Sequence, residues 1–371
     1  MVVLLAIILF SSVLFVCQRE LVERIVIVVL SLWLAYESVF GFMQLLGLAI
    51  SRNTMCPMTG SFTNSGPYGG FLAVCIAVVF AAAWKWRDSG NQHDRILFWL
   101  STVSGCLGIV VLPASMSRAG LIALAVSGVV FALTKTEIKS YLRSHKWLPL
   151  SVVAVSLAIG AGAFCLKKDS ALGRFHIWEM ELRAIADKPL TGHGYGNALG
   201  SYGDAQAEYF EGEERSQERV RIAGCPEYAF NEYLRLGMEF GILGLLLSVA
   251  VIVFGALALF RAKSSLAFGL VAWGTFALAS YPLAVWQLRL LLGVFLGAAV
   301  GLNMKVGKRT RLILASTFIV IATGLMLIWL PENRQRKYAE GKWLEERRFT
   351  NFGIFDGMAD RLAILYPQLR R

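Results

Sequence analysis

Residues 173–234 read GRFHIWEMELRAIADKPLTGHGYGNALGSYGDAQAEYFEGEERSQERVRIAGCPEYAFNEYL and form a long polar stretch between blocks of apolar runs. A chain built mostly from apolar runs would keep such a segment outside the bilayer, because unpaired polar groups are costly in hydrocarbon. The segment is rich in aromatic residues, glycines and arginines. These residues are therefore the first candidates for chemistry at one surface of a membrane.

The composition indicates a polytopic membrane protein. The 371 residues are 56% hydrophobic and only 16% charged, with a mean hydropathy of +0.59. About ten apolar runs are long enough, or nearly so, to cross a hydrocarbon core of roughly 30 Å as helices. These runs lie at about 1–17, 25–50, 67–84, 95–114, 117–134, 147–166, 233–260, 265–286, 288–304 and 311–330. The first run lacks the basic start and cleavage site of a signal peptide, so we expect a span there.

The distribution of basic residues predicts which loops face the cytoplasm. The formal net charge is +11, and the basic residues collect in alternate loops. These residues are Arg87, Arg95, Lys135, Lys139, Arg143, Lys146, Arg261, Lys263, Lys305, Lys308, Arg309 and Arg311. The positive-inside rule places their loops in the cytoplasm, which explains the charge without a nucleic-acid partner. The other loops are then external: 51–66, the turn at Ser117–Arg118, 167–228, the turn at Gln287–Arg289 and the tail.

This topology divides the all-α chain into four parts. They are N-terminal membrane helices (1–166), a large external loop with interfacial helices (167–232), C-terminal membrane helices (233–330) and an amphipathic helical tail (331–371). The tail resembles the opening unit of a helical repeat. In the external loop we expect helices at about 174–187 and 200–220, joined by a glycine-rich turn. The second of these is dominated by charge and tyrosine, which predicts a solvated helix.

The cysteines and histidines give no metal-ligand pattern, so we expect neither a metal nor another cofactor. Cys56 and Cys225 both fall on the predicted external side, where a disulfide can persist, although the sequence leaves their proximity open. His193 lies in the external turn TGHGYG. It is either incidental or a group that transfers a proton.

Four arginines are candidate anion ligands on the external side. Arg118 begins an apolar helix in PASMSRAGLIAL, where it either reaches back to the interface or binds an anion. Arg289 has a similar place in WQLRLLLG. Arg174 is either an interfacial anchor or a ligand, and Arg221 is either a ligand or part of a solvated charge cluster. If several of them converge, they form a site for a diphosphate.

The segment PEYAFNEYLRLGMEFGILGLLL returns the chain to the membrane. Its residues Asn231, Glu232, Arg235 and Glu239 are spaced so that several of them share one face of a helix. Glu239 would lie two turns into the membrane, where it is either functional or paired with Arg235 at i,i+4. Glu227 and Glu232 are the carboxylates best placed to act as a general base.

Several motifs occur in the order found in the O-antigen ligase and polymerase superfamily. SMSRAGLIAL resembles the family's Ser-Arg-Gly/Ala helix start, and FNEYLRLGMEFGILGLLL is similar to its His-Asn-x-x-Leu…Glu-x-Gly-x-x-Gly helix. GRFHIWEMELRAIADKPLTGHGYGNALGSY resembles its external-loop signature of Arg, Trp, Pro-Leu and spaced glycines. YESVFGFMQLLG and GSFTNSGPYGGFLA resemble its earlier spans. The resemblance extends over roughly residues 30–300.

The resemblance implies a metal-independent glycosyltransferase of the bacterial inner membrane that belongs to lipopolysaccharide biosynthesis. Such proteins move a glycan from undecaprenyl diphosphate to an acceptor at the periplasmic face. Arg118 and Arg174 would then be ligands of the diphosphate, with Arg289 as a third. An inverting transfer also needs an acceptor hydroxyl opposite the diphosphate, and ideally a nearby base.

One position departs from the family pattern. Phe230 stands where the ligases commonly have a histidine before the asparagine. Either His193, Glu227 or Glu232 takes over the role of that histidine, or the arginines and substrate orientation suffice, or the chain is inactive.

The sequence leaves several functions open. The first is a ligase whose acceptor is lipid A–core, and its rivals are a polymerase that joins lipid-linked glycans and a protein O-oligosaccharyltransferase. A lipid or glycan transporter belongs to a different class. A transporter should carry ionisable groups near the midplane of several spans, whereas here only Glu37 and Glu239 approach that description.

Overall fold

The computed structural model describes residues 2–53, 56–137, 140, 144, 168–212, 217–224, 226–305 and 307. Apart from one antiparallel bridge between Asn53 and Cys56, the regular structure of this part is helical. Its eleven α-helices are α1 (Val2–Cys17), α2 (Arg19–Leu45), α3 (Ser65–Trp86), α4 (Gln92–Val111), α5 (Arg118–Thr134), α6 (Lys168–Asp187), α7 (Ala198–Gly212), α8 (Gln217–Ile222), α9 (Glu232–Arg261), α10 (Leu266–Ala277) and α11 (Trp286–Asn303). The predicted all-α class is confirmed.

The described helices are those of an integral membrane protein. Five of them are long and apolar enough to cross a bilayer, namely α2, α3, α4 with the turn that follows it, α9 and α11. Helices α1, α5 and α10 are apolar but shorter. The predicted spans 147–166 and 311–330 and the tail 331–371 lie outside the described residues. The count of ten spans therefore stays a prediction.

The apolar run 265–286 does not form one continuous helix. Helix α10 ends at Ala277, and the chain turns through Ser280 and Tyr281 into a short 3-10 helix, Pro282–Ala284. Pro282 has no backbone N–H to donate to a helix and disfavours a helical conformation in the residue before it. The turn places Ser280 and Tyr281 beside the start of α9 rather than inside a span.

Helix α3 is the centre of the bundle. It packs against α2, α4, α5 and α10, and 89% of its most apolar window is buried, against 11% for α9. A methyl group on Gly120 of α5 would lie 2.6 Å from the carbonyl oxygen of Gly69 on α3, so the two backbones touch. Ser117 caps α5 by accepting from the N–H of Gly120 (3.3 Å) and donates to the carbonyl of Gly66 (3.0 Å). These contacts fix the position at which Arg118 begins its helix.

Two polar side chains of α2 hold the loop before α3. The Oε1 of Gln44 accepts from the N–H groups of Thr59 (2.9 Å) and Gly60 (2.8 Å). The buried Glu37 accepts from the N–H of Ser61 at 2.9 Å. Glu37 is therefore engaged in fixing this loop, and it gives no support to a transport pathway.

Helices α6 and α7 form a second core with the start of α9. Met180 of α6, Tyr202 and Tyr209 of α7 and Met238 of α9 are buried together. The prediction of a solvated second helix is wrong for α7, because its tyrosines Tyr202 and Tyr209 are buried in this core. The predicted piece 200–220 also comprises two helices, α7 and α8, and residues 213–216 between them lie outside the described residues.

Helix α9 is broken at Gly241. This residue has φ 70° and ψ −168°, a conformation that essentially only glycine adopts. The glycine turn after α6 inserts at the break. The N–H groups of His193 and Gly194 donate to the carbonyls of Met238 (2.8 Å) and Glu239 (2.9 Å), and the N–H of Ile242 donates to Pro189 (2.7 Å). The glycine turn (residues 189–196) and the break in α9 (residues 238–242) thus form one structural unit, which we call the clasp.

Candidate functional site

A cleft of about 280 Å³ lies between the start of α9, the turn before α11 and the glycine turn that follows α6. We call it the polar cleft after the charged and amide side chains among its lining residues. It brings together five of the predicted site residues, four of which lie within residues 227–239 and one in α11. These residues are Glu227, Asn231, Glu232, Glu239 and Arg289. Tyr195, Tyr228, Phe230 and Tyr281 give the cleft an aromatic lining.

A buried ion cluster forms the floor of this cleft. Arg235 donates through Nε to Glu232 at 2.6 Å and through Nη1 to Glu239 at 2.8 Å. Glu232 also accepts from the N–H of Leu283 at 2.7 Å, so both of its oxygens are engaged. The i,i+4 pair of Arg235 with Glu239 is confirmed, and Glu232 is a second partner of the same guanidinium. Arg235 holds two carboxylates in fixed positions.

Asn231 and Phe230 shape the start of α9. The side chain of Asn231 caps the helix by accepting from the N–H groups of Tyr233 (3.0 Å) and Leu234 (3.2 Å). Phe230, directly before the cap, has a positive φ of 54°, which is unusual for a bulky residue. Its ring meets that of Tyr281 edge to face at 5.5 Å. Backbone strain of this kind concentrates at functional sites.

Arg118 and Arg174 lie near enough for the charge of one to act on the other, and neither is among the residues that line the cleft. Burial, and after it the positive charge of Arg118, lowers the pKa of Arg174. Arg174 donates to the carbonyl of Ala279 at 3.2 Å, and its guanidinium lies 5.1 Å from the ring centroid of Phe230. Within the described part of the chain, neither arginine forms an ion pair with a carboxylate. Two adjacent guanidinium groups without an acid between them favour the binding of an anion.

The other two predicted arginines occupy different places. Arg289 lines the cleft, and its buried Nε has no hydrogen-bond partner among the described residues. Its Nη2 makes only a long contact of 3.5 Å with the carbonyl of Ala284. Arg221 is exposed on α8 and is not among the residues that line the cleft. Arg289 therefore lines the cleft and keeps a buried Nε without a partner among the described residues, whereas Arg221 does not reach the cleft.

His193 and Glu227 differ sharply in their surroundings. The ring Nε2 of His193 lies 2.8 Å from the carbonyl of Ala184 on α6, and the side chain is mostly buried. It is part of the clasp and does not line the cleft. Glu227 is exposed and does line the cleft. Of the predicted bases, Glu227 is the one open to an incoming molecule.

Glu181 was not predicted from the sequence, although it belongs to the same neighbourhood. It is fully buried on α6, and neither of its carboxyl oxygens has a hydrogen-bond partner among the described residues. Burial, and after it the charge of Glu232, raises the pKa of Glu181 from 4.5 to about 9. A glutamate in a charged helical segment is expected at the surface. The burial of Glu181 is apparent only from the packing of α6 on α9. Glu181 holds a proton at neutral pH.

Replacement of Glu181 by glutamine is expected to flatten the dependence of stability on pH. The folded state keeps a proton that the unfolded state releases above about pH 4.5, so stability falls as the pH rises towards about 9. The slope from this one group reaches at most about 1.4 kcal/mol per pH unit. Unfolding temperatures in detergent between pH 5 and 9 measure it, with the exposed Glu208→Gln as control. Identical pH profiles for Glu181→Gln and wild type would contradict the assignment.

An apolar groove of about 570 Å³ continues from the polar cleft along α9, α10, α11 and α1. Leu243, Leu247, Val251 and Leu292 are among the aliphatic side chains that line it. Six residues line both cavities, namely Leu4, Tyr195, Glu232, Arg235, Glu239 and Leu283. The polar cleft and the apolar groove therefore adjoin, with the ion cluster among the residues that they share.

No curated protein matches the chain. A family model described as O-antigen ligase matches residues 103–249. The matched segment contains Arg118, Arg174, the clasp and the ion cluster, whereas Arg289 lies beyond it. The resemblance seen in the sequence motifs is confirmed over residues 103–249, the part of the chain that is similar to the O-antigen ligase family model.

Proposed function

We propose that the protein transfers a glycan from undecaprenyl diphosphate to an acceptor, with lipid A–core as the leading acceptor, at the periplasmic face of the bacterial inner membrane. Family membership suggests glycan transfer of the ligase or polymerase type. The observation that carries the proposal is that the polar cleft and the apolar groove adjoin and share six lining residues. A lipid-linked donor has the same division, because a long apolar chain is joined to an anionic head and a sugar.

The apolar groove is the place for the isoprenoid chain of the donor. Its lining is aliphatic and aromatic over most of its length, from Phe240 to Ile252 on α9. Burial of apolar surface there is favourable by roughly 25 cal/mol per Å². The chain would leave the groove where Tyr195 and Leu283 meet the polar cleft. The head group then lies beside the cationic and polar residues of the cleft.

The diphosphate requires positive charge as the bond to the sugar breaks. Arg118 and Arg174 supply two guanidinium groups without a competing carboxylate among the described residues, and Arg289 supplies a third from the lining of the cleft. Donors that are fixed before the reaction stabilise the charge that develops on the leaving group. Arg235 is less suitable, because Glu232 and Glu239 already occupy its guanidinium.

Glu227 is the base that the geometry favours. The acceptor oxygen attacks the anomeric carbon of the sugar, and the bond from that carbon to the diphosphate oxygen breaks. The diphosphate leaves with the electron pair, and the proton of the acceptor hydroxyl passes to the Glu227 carboxylate. Glu232 is unsuitable because hydrogen bonds hold both of its oxygens. Glu227 thereby takes the role that Phe230 cannot perform.

Arg118→Met and Arg174→Met are each expected to slow glycan transfer by about 10- to 100-fold, since a hydrogen bond to a charged group contributes about 1.5–3 kcal/mol. Lysine at either position is expected to recover part of the rate, because it keeps the charge but loses the bidentate geometry. The measurement is the rate at which lipid-linked glycan is consumed in membranes from a deletion strain carrying each variant. Arg52→Met, an exposed arginine in the loop before α3, is the control. Wild-type transfer rates in both methionine variants would contradict the proposal that Arg118 and Arg174 bind the diphosphate.

The same strains identify the acceptor. Lipid-linked, lipid A-linked and protein-linked glycans are quantified separately in the deletion strain and after complementation. Long lipid-linked chains that accumulate without surface lipopolysaccharide support a ligase. Surface glycans with a single repeat indicate a polymerase, and a loss confined to glycoproteins moves the acceptor to protein. Unchanged pools in the deletion strain would contradict glycan transfer altogether.

A further inference from the structure

Tyr195 has a position that the proposed chemistry does not use. It lies in the glycine turn, and its large aromatic side chain is 66% exposed. It lines both the polar cleft and the apolar groove. Its ring is stacked near that of Phe240, with 6.3 Å between centroids and an angle of 27°. An exposed aromatic side chain at the boundary of two cavities can contact a molecule that passes from one to the other.

The backbone around Tyr195 is held in place. The N–H groups of His193 and Gly194, directly before it, donate to α9 at the clasp. Gly194 and Gly196 on either side have positive φ values of 93° and 83°, so the turn depends on glycine. The backbone next to Tyr195 is therefore hydrogen-bonded to α9, while the ring of Tyr195 is exposed.

Tyrosine also suits a boundary between apolar and polar surroundings. Its ring is apolar and its hydroxyl is polar. Tyrosine is therefore enriched at positions where the ring lies in apolar surroundings and the hydroxyl contacts water. In an isoprenoid diphosphate, the bond between the apolar chain and the first phosphate is such a boundary. The five residues that share the junction with Tyr195 are either aliphatic or members of the ion cluster.

We propose that Tyr195 is a positioning residue that sets how far an isoprenoid diphosphate slides into the site, by packing its ring on the first isoprene units. This inference rests on the proposed function and adds the residue that sets the register of the donor. With the chain held at Tyr195, the diphosphate is placed at a constant distance from its proposed ligands Arg118, Arg174 and Arg289. The aromatic ring carries this role, so phenylalanine can replace tyrosine.

The test is the binding of undecaprenyl diphosphate to the purified full-length chain in detergent. Tyr195→Ala is expected to raise the Kd about tenfold, whereas Tyr195→Phe stays within about twofold of wild type. Inorganic diphosphate, which has no chain, is expected to bind all three proteins equally. Phe254→Ala is the matched control, since Phe254 is an exposed aromatic residue of α9 that does not line the groove. Unfolding temperatures should be equal, because Tyr195 is mostly exposed.

The outcomes separate this inference from the proposed function. If wild type binds undecaprenyl diphosphate and Tyr195→Ala binds it equally well, the role of Tyr195 is overturned and the proposed function stands. If phosphatidylglycerol at equal concentration displaces the probe, the junction does not recognise an isoprenoid diphosphate and the inference is also overturned. If wild type binds no undecaprenyl diphosphate, the proposed function and this inference fall together.

Discussion

Gly241→Ala and Gly192→Ala are each expected to destabilise the protein by on the order of 3–5 kcal/mol. A methyl group on Gly241 would lie 2.6 Å from the carbonyl oxygens of Pro189 and Leu190. One on Gly192 would lie 2.5 Å from the backbone of Glu239 and Gly241. Neither neighbour is a flexible side chain, so the clasp must open and lose its three backbone hydrogen bonds. Positive φ adds a cost of about 1–2 kcal/mol for any residue with a Cβ.

The matched control is Gly196→Ala. Gly196 has a positive φ of 83° in the same turn, but a methyl group there meets nothing within 4 Å. The Gly196→Ala variant reports the cost of backbone strain alone. The additional loss of stability in the other two variants therefore measures the contact at the clasp. The measurement is the unfolding temperature in detergent, where a loss of this size corresponds to roughly 10 °C. Equal unfolding temperatures for all three variants would show that the clasp contributes no more than its backbone conformation.

Arg235→Met is expected to have a comparable effect, because it leaves the buried carboxylates of Glu232 and Glu239 without a cation. Both side chains are almost fully buried, at 4% and 3% exposure. Removal of one partner from a buried ion pair costs about 3–5 kcal/mol, since the remaining charge is desolvated and unpaired. The unfolding temperature in detergent should again fall by roughly 10 °C. Glycan transfer should fall with it, because the cluster forms the floor of the cleft.

A second substitution separates charge from packing. Arg235→Met combined with Glu232→Gln and Glu239→Gln removes all three charges and is expected to regain most of the stability. Arg219→Met breaks a half-exposed pair with Glu179 (2.6 Å) and should cost about 1 kcal/mol or less. If the triple variant were as unstable as Arg235→Met alone, the loss would come from packing and not from uncompensated charge.

Local features of the fold follow from the sequence because their causes are local. The apolar runs predicted helices α1 to α5, α9 and α11 close to their observed bounds, since run length and hydropathy act within one segment. Pairing at i,i+4 was open to prediction for Arg235 and Glu239, since helical spacing alone brings them together. The end of α10 before Pro282 could also have been read from proline chemistry, although the apolar run concealed it.

The candidate site was only partly predictable. Arg118, Arg174 and Glu227 could be singled out, because charged residues near apolar helices need a partner or a ligand. Their arrangement could not be predicted, since it depends on how α5, α6 and the turn before α11 approach one another. His193 is an example. The sequence suggests it as a catalytic group, whereas in the structure its ring contacts the backbone of α6.

The sequence by itself determined the helical class, the glycine turn and the resemblance to a known family over residues 103–249, because periodicity, backbone preference and motif order are all carried within short segments. Only the tertiary structure decided that the glycine turn enters the break in α9, that Glu181 is buried beside Glu232, and that a polar cleft opens into an apolar groove. These features join residues that are distant in the chain. Their energies come from packing and from the removal of water, and neither exists until the helices have assembled.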